Sequence, residues 1–236
     1  MDTRPNAKRI NMNSNRTKEP QYQSLLDLKS NKGVNQLGLM MNEVWNRDPR
    51  RLAFVLSRYK FIAKMLEGYE NVLEVGCGDA WPTRIVKQTV INLTVSDFDP
   101  VFIEDAKRRD DPEWPISYLL HDMVQKPVEN KYDAIYSVDV LEHITSEDED
   151  SFITNICNSL NQNGVAIIGS PSLQSQAFAS PASKEGHVNC KTGKDFRETM
   201  ERYFEHVFLF SMNDEVVHTG LDKMANYLFT LCCGVK

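Results

Sequence analysis

The chain of 236 residues predicts an α/β fold on a mostly parallel sheet, and two observations carry that prediction. Strand-like apolar runs near 71–75, 91–96, 116–120, 132–138 and 164–169 alternate with helical stretches near 80–89, 100–109 and 146–160. Such alternation implies right-handed crossovers between parallel strands. The first run also passes straight into Gly76-Cys77-Gly78-Asp79 and then a helix. That places a glycine turn and unsatisfied helix N–H groups at a strand's carboxyl end, where sheets of this kind bind ligands.

Taken in order, residues 1–20 are an Asn-rich tail holding Arg4, Lys8, Arg9, Arg16 and Lys18, a composition that predicts disorder. Residues 21–70 form an N-terminal helical cap. Its leading part, with Leu25, Leu26, Leu28, Leu37, Leu39, Met40 and Trp45, suits covering a substrate or packing on a second subunit in a homo-oligomer. Asp48-Pro49 reads as a helix start, and Leu52, Val55, Leu56, Tyr59, Ile62, Ala63 and Leu66 recur at helical spacing up to Gly68. The main domain then spans 71–236. In it Thr145-Ser146 precedes Glu147-Asp148-Glu149-Asp150, read as a first helical turn with Ser146 and Glu149 as a capping box. Residues 170–184 read as a long loop over the mouth of the site. A helix over Thr192–Tyr203 and strands near 206–212 and 225–233 follow, which brings the count to seven strands.

Composition narrows the function. With 41% hydrophobic residues the chain can bury one sizeable core. Its five cysteines are odd in number and lack C-x-x-C spacing, which predicts neither a disulfide framework nor a zinc ribbon and fits a reducing cytoplasm. No apolar run approaches the roughly 20 residues of a membrane span. A net charge of −6 argues against nucleic acid as a partner, since phosphate contacts supply most of that binding. Cys77, with nothing beside it to favour a thiolate, reads as a small buried residue.

The turn itself separates cofactor classes. Dinucleotide sites want a third glycine for close packing by the pyrophosphate, and here Trp81 and Pro82 stand in that region. The E-x-G-x-G core resembles motif I of the class I S-adenosylmethionine-dependent methyltransferases. Ser96-Asp97-Phe98-Asp99-Pro100, His121-Asp122-Met123, the run Tyr132–Ile144 and Asn163–Ile168 resemble that family's later motifs, in the right order. The resemblance implies a Rossmann-like methyltransferase fold: a mostly parallel seven-stranded sheet, an antiparallel C-terminal hairpin and helices on both faces. It also implies that Gly76 and Gly78 line the methionine part of S-adenosyl-L-methionine. By the same resemblance Glu74 faces the ammonium, Asp97 with Phe98 holds the ribose, Asp122 with Met123 flanks the adenine, and Tyr59 closes over the cofactor, with Asp139 at the cofactor's side as well.

The chemistry should lie where loops leave the strands' carboxyl ends. Asp139, Glu142 and His143 fall at i, i+3 and i+4, so one helical turn would turn all three to one side, and His187 follows the 170–184 loop. Two carboxylates and two imidazoles suit Mg²⁺, Mn²⁺, Fe²⁺ or Zn²⁺. The set is similar to the acidic-x-x-Glu-His plus distant His pattern of small-RNA 2′-O-methyltransferases, which carry glutamate where this chain has Asp139. Its first part is similar to ubiquinone-pathway O-methyltransferases. These readings give methyl transfer to an oxygen of a hydroxylated small molecule or sugar, with the proton removed by metal assistance or by His143 or His187 as general base. A non-catalytic S-adenosylmethionine-binding module and a nicotinamide oxidoreductase are the alternatives.

Overall fold

A computed structural model describes residues 16–236; most of the tail 1–20 lies outside the described residues. The chain divides into an N-terminal unit ending at Gln36 and a main unit, Leu37–Lys236. The first contains helix α1 (Gln23–Lys32), which has no buried residue.

In the main unit, α2 (Leu39–Arg47) and α3 (Arg50–Met65) precede an eight-stranded sheet. The strands are β1 (Asn71–Val75), β2 (Asn92–Asp97), β3 (Ser117–Leu120), β4 (Tyr132–Val138), β5 (Leu160–Pro171), β6 (Phe204–Asn213), β7 (Val216–His218) and β8 (Tyr227–Val235), in the order β3-β2-β1-β4-β5-β8-β6-β7. The first five are parallel. β8 inserts antiparallel between β5 and β6, and the unexpected eighth strand, β7, extends the edge by three residues antiparallel to β6. Seven strands are legible because each has four or more residues with an apolar pattern; Val216-Val217-His218 is too short to show a period.

Alternation along each strand splits the core in two. Val72, Ala134, Tyr136, Val138 and Ile167 pack on one face with Tyr59, Ile62, Ala63 and Leu66. Leu73, Val75, Ile135, Ala166 and Ile168 pack on the other with Phe152, Ile153, Ile156, Phe196 and Met200. The latter side chains come from α6 (Glu149–Ser159) and α8 (Gly193–Glu201), so helices cover both faces.

Several boundaries differ from the sequence reading for local reasons. The helix expected over 80–89 shrinks to α4 (Arg84–Lys87), and Ala80 at its expected start takes a left-handed φ of 50° that no helix begins on. Helix α5 (Pro100–Arg108) is as expected, with Asp99 accepting from the Val101 N–H as its cap. The Asp48 carboxylate bonds Arg50 instead of capping α3. The long loop 170–184 holds the end of β5, a 3₁₀ turn over Gln174–Phe178 and the start of α7 (Pro181–Gly186).

The first core face also buries a carboxylate. Glu74 is 1% exposed and accepts from Tyr59 Oη at 2.6 Å, Thr83 Oγ1 at 2.5 Å and Tyr136 Oη at 2.7 Å. Burial pushes its pKa up to about 7, against the lowering by the three hydroxyls. Because the folded value is raised, stability is greatest below the ordinary 4.5 and falls as pH rises toward 7, by on the order of 3 kcal/mol. Urea unfolding of Glu74→Gln at pH 5 and 7.5 is therefore expected to lose most of the decline that the parent shows between those values; an unchanged slope would place the titrating group elsewhere.

Candidate functional site

The site forms where β1 and β4, adjacent and parallel, release their chains at the switch point of the sheet. After β1, the N–H groups of Gly76 and Cys77 both donate to Ser96 O, at 2.8 and 2.9 Å. The Gly78 N–H donates to Asp97 Oδ2 at 2.9 Å, and the Asp99 N–H to Asp97 Oδ1 at the same distance. Asp97 thus braces the turn from the end of β2, and each of its oxygens keeps a lone pair for a further donor. Burial raises its pKa against the backbone N–H groups of Asp99, Gly78 and Phe98. Cys77 is buried and its thiol is pushed up, which keeps it protonated.

Helix α2 is seated on this turn by carboxylates that are not its own. Its N-cap, Gly38, offers no side chain. Instead Asp79 Oδ2 accepts from the Met41 N–H at 2.8 Å and Asp105 Oδ2 from the Leu39 N–H at 3.2 Å, while Arg109 donates to Asp105 and to the Asp79 carbonyl. Two of the free N–H groups of the first turn are satisfied in this way. A Cβ on Gly78 would meet Met40 Sδ at 2.4 Å, so this methionine rests directly on the glycine turn.

The sequence-predicted cofactor residues divide by environment. Gly76, Gly78 and Asp97 form one patch. Glu74 and Tyr59 lie beneath it, bonded to each other, and both Glu74 oxygens are occupied. Phe98 is 72% exposed beside Asp97. Asp122 accepts from the Val124 N–H at 2.9 Å, while Met123 is buried in the second core face. Asp122 also lines a cavity of about 380 Å³ with Leu119, Leu120, His121 and Tyr132, which includes none of the turn residues.

After β4, Asp139 has a left-handed φ of 58° and donates its N–H to Gly169 O at 3.1 Å. A single 3₁₀ turn, Leu141–His143, follows. The i, i+3, i+4 geometry therefore does not form across Asp139. Its Oδ2 accepts from Arg58 Nη1 at 2.6 Å, and that guanidinium stacks 3.9 Å from the Tyr227 ring centroid. Asp139 is thereby paired with Arg58 and does not join the metal set expected of it. Arg58 and Tyr227, 81 and 88 residues from Asp139 in no fixed spacing, left no signal in the sequence.

Among the described residues, Glu142, His143 and His187 form the one group of side chains with metal-ligating atoms all within 4.8 Å of one another. Ligand atoms at tetrahedral angles about an ion at 2.0–2.1 Å would be about 3.3 Å apart, so the three side chains would draw together by up to about 1.5 Å on an ion. The imidazoles lie edge to face, with centroids 5.1 Å apart. His143 Nδ1 is 2.9 Å from Gly186 O, and His187 Nδ1 is 2.9 Å from Gln176 Oε1. Because those oxygens only accept, each Nδ1 carries the proton and each Nε2 keeps a lone pair, the usual arrangement of ligating histidines. Burial, and then His143, hold His187 below the ordinary histidine range and so neutral at pH 7.

Glu142 completes the fit. It is 1% exposed, and its Oε2 has no hydrogen-bond partner. Burial and then the Asp139 charge push its pKa well above the carboxylate range. A desolvated carboxyl group with one unpartnered oxygen, beside two imidazoles, suits a divalent cation, which would displace its proton and offset the desolvation.

Known proteins share the fold in which this site lies. Residues 73–168 match a family model described as a methyltransferase domain. A ubiquinone biosynthesis O-methyltransferase of Rickettsia canadensis is 26% identical over 149 residues, covering 57% of this chain and 60% of that one; its Rickettsia felis counterpart is also 26% identical. The chain spans about three-fifths of the length of these curated relatives. The methyltransferase domain of bacterial CtHen1-C superposes with a TM-score of 0.63 at 18% identity, over 76% of this chain and 98% of that one. The N-methyltransferase NodS of Bradyrhizobium japonicum, solved with S-adenosylhomocysteine, superposes with a TM-score of 0.58 at 19% identity, over 80% and 90%.

The two glycines should respond unequally to substitution. At Gly78 (φ 51°) an added Cβ meets only the tip of flexible Met40, so Gly78→Ala is expected to cost about 1–2 kcal/mol, the left-handed strain alone. At Gly76 (φ 73°) the Cβ would lie 2.3 Å from Val140 Cγ2, a branched side chain, so Gly76→Ala should cost clearly more in urea unfolding. Equal losses would contradict the described packing.

Proposed function

We propose that this chain, a class I S-adenosylmethionine-dependent methyltransferase by its fold and its matched domain, transfers a methyl group to an oxygen of a hydroxylated small molecule or sugar. The observation that carries the oxygen acceptor is the buried, orphaned Glu142 Oε2 beside two oriented imidazoles. An amine acceptor needs little help in losing its proton, whereas a hydroxyl needs either a cation or a base. The Rickettsia relatives, named as O-methyltransferases, support the same reading.

In this reading the cofactor lies across the turn. Asp97 accepts the ribose hydroxyls on its remaining lone pairs while its other pairs keep Gly78 in place. With Glu74 occupied, the opposed charges of Arg58 and Asp139 are the groups by β4 that match the zwitterionic methionine end. Val140 packs on Gly76, which sets this pair next to the turn. Phe98 lies by the ribose and Asp122 on the adenine side. Methyl transfer from a sulfonium is an in-line displacement, and positioning of the acceptor supplies much of its rate. Glu142, His143 and His187 would hold a divalent cation; bound there, it would lower the acceptor hydroxyl's pKa and fix a vicinal oxygen pair. Without one, the neutral His187 presents Nε2 as the general base.

Two measurements test this. Asp97→Asn should weaken S-adenosylhomocysteine binding about 10–100-fold by calorimetry, the range for losing charge-assisted bonds, and unchanged affinity would refute the ribose assignment. Mn²⁺ titrated into the S-adenosylhomocysteine complex should bind saturably in the parent and not in His187→Ala. No binding in either would remove the cation and leave the histidine base.

A further inference from the structure

We infer that Glu149 is a positioning residue that holds His187 and Glu142 in register. The inference rests on the proposed reading of the Glu142–His143–His187 cluster as a cation site. Within the acidic run, Glu147, Asp148 and Asp150 are exposed and Glu149 is buried, at 7% exposure. The expected capping box does not form. Thr145 Oγ1 accepts from the Asp148 N–H at 3.3 Å, and the Glu149 carboxylate turns inward.

Its partners come from the segment that follows His187 and from α8's end. Glu149 Oε2 takes Lys191 Nζ at 2.7 Å and Asn189 Nδ2 at 2.8 Å, while Oε1 takes Arg202 Nη2 at 3.1 Å. Lys191 also donates to Asn189 Oδ1 at 3.1 Å, closing a triangle. A charge placed only to favour a helix dipole would stay hydrated; this one is desolvated and paired, so it fixes what it binds.

Two routes lead from that triangle to the cluster. By the first, Val188 and Asn189 donate their N–H groups to Glu142 O at 2.8 and 3.0 Å, so the stretch after His187 is laid directly on the backbone of Glu142. By the second, Lys191 O accepts from the Leu173 N–H at 2.8 Å, which seats the turn holding Gln176. The Gln176 amide donates to Ser172 O and Ser175 Oγ, and this leaves its Oε1 facing His187 Nδ1. Glu149 touches neither ligand nor cluster and acts through Asn189 and Lys191.

The test compares Glu149→Gln and Lys191→Met, which break the triangle from opposite sides. Calorimetry with Mn²⁺ on the S-adenosylhomocysteine complex reads the cluster; calorimetry with S-adenosylhomocysteine alone reads the rest of the domain. Long-range ¹⁵N–¹H NMR of the imidazoles reads the His187 tautomer without any metal. Each variant should weaken Mn²⁺ about 10–100-fold, as expected for lost orienting contacts. S-adenosylhomocysteine affinity should stay within about twofold, and the proton on His187 Nδ1 should become shared with Nε2. Parent-like Mn²⁺ affinity and tautomer in both variants would overturn the inference, as would equal losses of Mn²⁺ and S-adenosylhomocysteine, which mark a general structural role. If the parent binds no Mn²⁺, the cation reading fails and the tautomer alone decides Glu149. If Glu149→Gln does not fold, Lys191→Met decides in the same way.

Discussion

Gly76 carries the chain past Val140 with no space for a side chain, and everything else at the site follows from that approach. It brings the end of β1 and the end of β4 together at the switch point, so the turn bound to Asp97 and the segment that carries Glu142 and His143 leave neighbouring strands at the same end of the sheet. A methyl donor and the groups that prepare an acceptor must sit within a few ångströms of each other for in-line transfer. The parallel β1–β4 pair provides that proximity, and the glycine makes it sterically allowed. Asp139 contributes from the other side, since its left-handed backbone follows the end of β4 and precedes the 3₁₀ turn Leu141–His143.

The buried carboxylates show how one residue type takes different roles by environment. Glu74 is saturated by three hydroxyls and anchors the turn from beneath. Glu149 is paired with two cations and an amide and ties a loop. Glu142 is as deeply buried as Glu74 yet leaves one oxygen without a partner. Burial and then the Asp139 charge raise its pKa well above the carboxylate range, and buried groups perturbed in this way are characteristically functional. The same reasoning moves Asp139 out of the cluster: with Arg58 at 2.6 Å its charge is already matched.

Much of this was legible in the sequence because it lies in local patterns. Five parallel strands follow from apolar runs of four residues or more, and the glycine turn with Asp97 follows from a motif whose spacing the backbone dictates. Glu142, His143 and His187 were named from residue type, and the fold brings them together. What failed depends on backbone conformation or distant partners. Helical spacing across Asp139 presumed a right-handed residue, and its φ of 58° breaks that phase. Ser146 and Glu149 have capping-box spacing, yet Lys191 and Arg202, some forty and fifty residues on, offered Glu149 a stronger arrangement. Tyr59 and Glu74 pair because α3 packs over β1, a tertiary fact without a sequence signature.

The central claim is that three side chains, without Asp139, make a cation site beside the cofactor turn. Diffraction at the manganese edge from crystals grown with S-adenosylhomocysteine and Mn²⁺ tests it most directly. The account predicts one anomalous peak held by Glu142 Oε2 and by Nε2 of His143 and His187, with Asp139 still on Arg58. A peak on Asp139, or none near the three residues in crystals whose cofactor is ordered, would contradict it.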